Sequence, residues 1–527
     1  MKKALTLLLM VVVAFGAFAS GSQQQAGQAS GAEFIIANGA EPETLDPHLI
    51  SGVPEHRIYM ALFEGLVGYD AKTANAVPGV AKSWDISDDG TVYTFHLRDA
   101  VWSDGTPITA QTFVDSWIRM LNPDTAAPYA WFPSMFIKGA QAYNGGDASA
   151  DSVGVKAIDD KTLQVTLVGP LPYVLGALAH YSFSPVPIHA VKQYGEKWTL
   201  PENFVGNGPF TLQTWSPQEK LTVVPNDKYW DAGAVKLGSV TFLPVDNINT
   251  MYNMYLNGEA DWSTDVPLDQ LDAAKLRDDY HVSPQLATYY YVFNTQRKPF
   301  SDPRVRKALT LAVDRQQLVE VVTRGGQIPA NSIVPKMTGY PGIEGNGYNI
   351  EQAQKLLADA GFPGGKGFPE FTMLYNTSEN HQKIAEYVQQ QWLSNLGINA
   401  TLENQEWKTY LATRRAGNFD VARAGWVGDY QDPNTFLDMF VSGSAMNGGK
   451  YANSKYDQLI SQAAKMEAGP KRMKTLEDAE KLLITQDQAI LPLYFYVNQN
   501  MIDTGKWGGW YDNVMDIHPV KDIFVKQ

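Results

Sequence analysis

The chain contains no cysteine. This excludes disulfides, thiolate nucleophiles and thiolate metal sites. It also removes the residue that would carry a lipid anchor after export. Histidine is sparse, with eight in 527 residues, and no two stand at metal-ligand spacing. Positive charge is in deficit: 42 Lys and Arg face 56 Asp and Glu, for a formal net charge of −14. Nucleic acid needs a basic face that this balance lacks. Outside the amino terminus no uncharged apolar run approaches the roughly 20 residues of a membrane span. Neither G-x-S-x-G nor H-E-x-x-H occurs, which removes two common hydrolase signatures. Gly443–Lys450 resembles a phosphate loop but has one residue too many, and Tyr451 stands where Ser or Thr is required. Asp85–His96 opens like a calcium loop and ends on histidine in place of glutamate. It reads as a turn between strands.

What is present begins with an export signal. Lys2 and Lys3 precede the apolar run Ala4–Phe15, and Ala17-Phe18-Ala19 forms an A-x-A cleavage site before Ser20. Ser20–Gly31 has no apolar periodicity and reads as a flexible leader. With no lipid attachment point, a freely diffusing periplasmic protein is expected. The length exceeds the roughly 250–300 residues of one hydrophobic core, so at least two lobes are expected. Aromatics reach 12%, enough for large cores and for an aromatic-lined pocket.

The first third reads as short alternating strands and turns, with a helix at Thr109–Leu121. Beyond residue 287 the texture changes. Ser301-Asp302-Pro303 caps a helix carrying Val305, Leu309, Ala312 and Val313. Asn349 starts a second helix that stops at Gly361. A strand at Phe371–Tyr375, a helix at Asn380–Leu396, a strand at Ile398–Leu402, a helix at Trp407–Ala416 and a strand at Phe419–Gly425 follow. That order, β-α-β-α-β, is the pattern of a parallel sheet with crossover helices. Ligands of such sheets bind beyond the carboxyl ends of the strands. The argument places His381 and Asp429 on one rim, facing one crevice. Around Asp429 the segment FDVARAGWVGDYQDPNTFL offers an aromatic wall, an anion and nearby Arg414 and Arg423. A zwitterion with an apolar body calls for that combination.

Several segments together resemble the periplasmic oligopeptide-binding proteins of ABC importers, in the large class of extracellular solute-binding proteins called family 5. They are LDPHLISGVPE (45–55), LFEGL (62–66), VYTFHLRDAVWSDGTPITAQTFV (92–114), YYYVFNTQRKPFSDPRVRKALTLAVDR (289–315), LYNTSENH (374–381), NQEWKTYLATR (404–414) and FDVARAGWVGDYQDPNTFL (419–437). The resemblance implies a bilobal α/β binding-protein fold with a third domain and a hinge. Lobe I is expected at 32–63, 187–286 and 497–527, domain II at 64–186 and lobe III at 287–496. It implies that Asp429 pairs with a peptide ammonium. Tyr129, Trp407 and Trp426 would line the cleft, and Arg414, Arg423 and His381 would act as cations near the peptide carboxylate. The backbone of Gly52, Val53, Gly425 and Val427 would pair with the peptide main chain.

The sequence departs from the best-known members. Thr323 stands where they have lysine, with Arg324 next to it; Ser51 and Val292 replace glutamates; Ala287 and Val427 replace a bridged cysteine pair. The expected function is capture of short peptides and delivery to a membrane permease, by a monomer with no cofactor, no bound metal and no catalysis. Two alternatives stand beside it: a binder of a metal complex or oligosaccharide on the same fold, and a secreted peptidase.

Overall fold

The computed structural model describes residues 31–337 and 339–527. The export signal and all of the leader but Gly31 lie outside the described residues. One large mixed sheet runs through the molecule. Its main strands, in chain order, are β1 (Glu33–Gly39), β2 (Phe210–Ser216), β3 (Lys220–Pro225), β4 (Ser239–Pro244), β5 (Trp262–Ser263), β6 (Tyr280–Phe293), β7 (Thr372–Asn376), β8 (Thr401–Gln405), β9 (Val421–Val427) and β10 (Ile490–Ile502). They lie in the order β8-β7-β9-β6-β10-β5-β1-β4-β3-β2, and the short strand Ile328–Pro329 pairs with β10 off this path.

The two long strands, β6 and β10, pair antiparallel along most of their length. The carboxyl half of β6 also pairs with β9, while the far half of β10 pairs with β5. They therefore belong to both halves of the sheet. Their register slips between Pro284 and Thr288, a bulge where proline supplies no ladder donor. Residues 287 and 497, the expected lobe limits, fall within these shared strands. On the other side of the molecule, Ala81–Ile86, Val92–Leu97, Thr162–Thr166 and Val155–Asp159 form a separate antiparallel sheet in that order.

The β-α-β-α-β unit forms as the sequence pattern dictates. Strands β7 and β8 are parallel, and so are β7 and β9. Helix α3 (Glu379–Leu396) buries Ile384, Val388, Trp392 and Leu396, a stripe at 3.6-residue spacing. Helix α4 spans Trp407–Ala416. Gly397 and Gly417 end the two helices at φ of 69° and 74°, where a side chain would be strained. Two shorter helices frame the other side, α1 (Val53–Leu62) and α2 (Ala110–Leu121). Thr109 and Thr112 form a reciprocal capping box on α2.

Two strands that the sequence pattern suggests, Ile398–Leu402 and Val101–Trp102, differ. The middle strand of the unit begins at Thr401, three residues later than the sequence suggests, because Ile398 and Ala400 bury in the turn before it. Val101–Trp102 makes only a single bridge, between Val101 and Pro107.

Candidate functional site

A cavity of about 430 Å³ opens between the two halves of the large sheet. All eleven residues singled out in the sequence line it: Gly52, Val53, Tyr129, His381, Trp407, Arg414, Arg423, Gly425, Trp426, Val427 and Asp429. His381 and Asp429 thus face one crevice, as the strand-end argument requires. Gly52 is extended and caps α1, whereas Val53 already opens that helix. A Cβ on Gly52 would lie 2.1 Å from Glu55 Oε2 and 3.3 Å from the Trp407 ring, so a larger residue there requires the Glu55 carboxylate to move.

The Asp429 side chain is 10% exposed. Thr435 Oγ1 accepts a hydrogen bond from its backbone N–H at 2.9 Å, which fixes the turn after β9. Oδ1 lies 3.5 Å from His180 Nε2. Oδ2 is buried and has no hydrogen-bond partner among the described residues. Burial, with Asp438 nearby, pushes this carboxyl well above the usual aspartate range. A buried acceptor left unmatched costs about 1–3 kcal/mol. Tyr129 stacks against Trp426 with centroids 6.4 Å apart and against His180 at 4.7 Å. Apolar walls thus surround the anion.

His180 was not found from sequence. It lies 249 positions before Asp429 in the chain, in no motif, and reaches it only through the packing of the two sheets. Burial and the neighbouring His56 hold its imidazole well below its ordinary pKa, so it is neutral. Its Nδ1 accepts from the Ser182 backbone N–H at 3.3 Å, leaving the proton on Nε2, toward Asp429. Ser182, His180 and Asp429 therefore form a line that superficially matches a hydrolase triad. Ser182 is fully buried and does not border the cavity. Its hydroxyl, 2.9 Å from His180 Nδ1, has no access to a scissile bond.

The cations occupy other walls. Arg423 donates from Nη2 to the Tyr496 hydroxyl at 2.7 Å and from Nη1 to Asn376 Oδ1 at 3.3 Å, and it lies over the Tyr289 ring at 4.8 Å. Its Nε is buried and unpartnered. Arg414 lies 5.8 Å from the centre of the Tyr410 ring. Among the described residues neither arginine pairs with a carboxylate. His381 is not the cation expected of it. Burial and Arg423 hold its imidazole well below its ordinary pKa, and its Nδ1 faces the Tyr289 hydroxyl at 3.4 Å.

Backbone is also on offer. Strand β9 pairs with β6 along one edge from Val421 to Val427. On its other edge β7 reaches only Val421 and Ala422, and the Tyr410 hydroxyl donates to the Arg423 carbonyl. From Gly425 onward that edge has no strand partner and borders the cavity. The indole N–H of Trp426 is likewise buried and unpartnered among the described residues, whereas the Trp407 indole faces the Glu55 carboxylate.

The departures have structural counterparts. Ser51 accepts a hydrogen bond from Arg415, which also faces Glu43 at 3.4 Å. Thr323 borders the cavity, but Arg324 does not replace a cation there; it turns outward and pairs with Asp272. Ala287 and Val427 stand directly opposite each other in the β6–β9 ladder, held by strand pairing alone. Among the described residues no three His, Asp or Glu side chains gather as a metal site.

The profile of bacterial extracellular solute-binding proteins, family 5, matches residues 75–448. The periplasmic oligopeptide-binding protein OppA of Salmonella typhimurium is 42% identical over 501 residues, covering 93% of this chain and 91% of its own. The Haemophilus influenzae OppA structure in complex with the peptide RPPGFSPFR is 34% identical, with a TM-score of 0.88, and covers 94% of this chain and 99% of its own. The murein tripeptide binding protein MppA of Escherichia coli, 38% identical, gives a TM-score of 0.90 over 95% of this chain and 99% of its own. Its unliganded open form scores 0.64 over 95% and 98%. The arrangement of the halves seen here thus differs from that open form. The chain belongs to the family 5 bacterial extracellular solute-binding proteins.

Proposed function

We propose that this protein captures short peptides by their termini and main chain and hands them to the membrane permease of an ABC importer. The observation that carries this reading is the buried, unpartnered Oδ2 of Asp429 in the cavity that also holds two acid-free arginines and an open strand edge. A peptide supplies each complement: an ammonium, a carboxylate and a run of main-chain donors and acceptors. Side chains of any kind can then be accommodated through water. The peptide-bound Haemophilus relative supports the reading.

Closure swings lobe III (287–496) toward lobe I (32–63, 187–286 and 497–527) and domain II (64–186), with the shared strands as hinge. The amino-terminal signal and the periplasmic relatives favour the periplasm. The protein works as a monomer and makes or breaks no bond.

Native mass spectrometry of freshly purified protein tests the ligand class. Co-purified di- to pentapeptides are expected. A sugar or a metal complex in their place would sink the proposal, as would cleavage of an added tripeptide. The arginines share one carboxylate, so Arg423→Met alone costs less than about tenfold in peptide affinity. Arg414→Met with Arg423→Met costs more than about a hundredfold by titration calorimetry.

A further inference from the structure

Asp265 follows β5, on the half of the sheet opposite Asp429, and borders the same cavity. Its Oδ1 accepts the Val266 N–H at 2.8 Å. No donor among the described residues reaches its second oxygen. Arg57, a cation whose field reaches Asp265, is shared: it faces Asp516 at 3.5 Å and lies 5.4 Å from the centre of the Trp262 ring, with its Nε buried and unpartnered among the described residues. Asp516 is further held by His518 and Asn500. Burial pushes the Asp265 carboxyl up to about 6, against the field of Arg57 and with that of Asp516 and Glu379. It therefore remains charged at neutral pH.

A peptide with uncharged side chains uses Asp429 at one end and the arginines at the other. Asp265 is left half-buried, with only the field of Arg57, shared with Asp516, to offset its charge, and such a charge is costly once water is excluded. Tyr494 and Tyr496 border the cavity with Asp265; burial raises both hydroxyls, and the field of Asp265 adds to it. Tyr496 in turn holds Arg423, which places Asp265 toward the carboxylate end of the ligand. Asp246 also borders the cavity; burial and the charges of Glu406, Glu41 and Glu379 raise its carboxyl above the usual range, and with three acids around it, it is the control for the assignment.

We propose that Asp265 is a specificity-determining anchor for a lysine or arginine side chain in the carboxyl-terminal part of a bound peptide. This rests on the peptide reading above and adds a side-chain preference to it.

Titration calorimetry with trialanine, Ala-Lys-Ala, Ala-Ala-Lys and Ala-Ala-Glu tests it. At least one lysine peptide is expected to bind about tenfold or more tightly than trialanine, and Ala-Ala-Glu more weakly. In Asp265→Asn the lysine preference collapses to within about threefold while trialanine binding stays within about threefold. The asparagine keeps the Oδ1 acceptor for Val266, and retained trialanine binding shows that the variant is folded. Asp246→Asn keeps the preference. Lysine peptides that bind no tighter than trialanine overturn the proposal, as does a preference that survives Asp265→Asn or disappears equally in Asp246→Asn. A protein that binds none of the four peptides fails the peptide reading itself, and the anchor falls with it.

Discussion

An Asp429→Asn protein binds free tripeptides at least about a hundredfold more weakly than the parent. Acetylating the peptide amine produces the same loss in the parent. Removing one partner from a buried ion pair costs about 3–5 kcal/mol, which is roughly two to three and a half orders of magnitude in affinity. The empty protein responds in the opposite sense. Asp429 holds its proton more tightly in the folded chain than at the unfolded value of about 3.9. The folded state therefore binds more protons between those limits. Stability of the empty protein falls as pH rises from about 4 through the raised value. Asparagine removes that penalty, so the variant melts higher than the empty parent at neutral pH and loses part of the slope. Scanning calorimetry of ligand-stripped protein reads both. Equal binding of free and acetylated peptides would refute the role assigned to this carboxylate.

Arg472→Met is expected to destabilise the protein by about 3–5 kcal/mol. The guanidinium is fully buried and donates to both Asp432 oxygens, at 2.7 and 2.8 Å. It also lies 4.9 Å from the centre of the Tyr173 ring, on the domain with the separate sheet. Asp432 sits in the turn that delivers Asp429, so this ion pair pins the anion-bearing loop from behind. Methionine leaves Asp432 charged and unmatched. Adding Asp432→Asn to Arg472→Met recovers part of the loss, because the stranded charge is gone. Denaturant titration of the two variants checks the order. A double variant no more stable than Arg472→Met would show that packing, not charge, dominates there.

Local signals made the helices of lobe III legible. Asn349, Gly397, Gly417 and the Asp302-Pro303 pair mark helix ends through hydrogen bonds and dihedral limits that act within a few residues. Strand β8 starts later than its sequence suggests because it is a half-exposed edge strand, Thr401–Gln405, without an apolar alternation of its own. The carboxyl-end rule put His381 and Asp429 on one rim from topology alone. It could not supply their charge states. Burial and Arg423 keep His381 neutral, and only the assembled cavity sets that environment. His180, Asp265 and Tyr496 escaped notice for a related reason. Each comes from a separate stretch of chain, and nothing in its neighbours in sequence records what it faces across the gap between lobes.

The two strands that cross between the halves bear on the energetics of capture. A container with two separate walls must break and remake contacts each time it opens. Here the walls are woven from the same pair of ribbons, β6 and β10, and their ladder hydrogen bonds run through the joint. In the proposed closure, the bulge at Pro284–Thr288 is where a few backbone torsions can turn while the ladder on either side stays paired. The decision to shut is left to the guest, whose charges and main chain close the balance that the empty chamber leaves open.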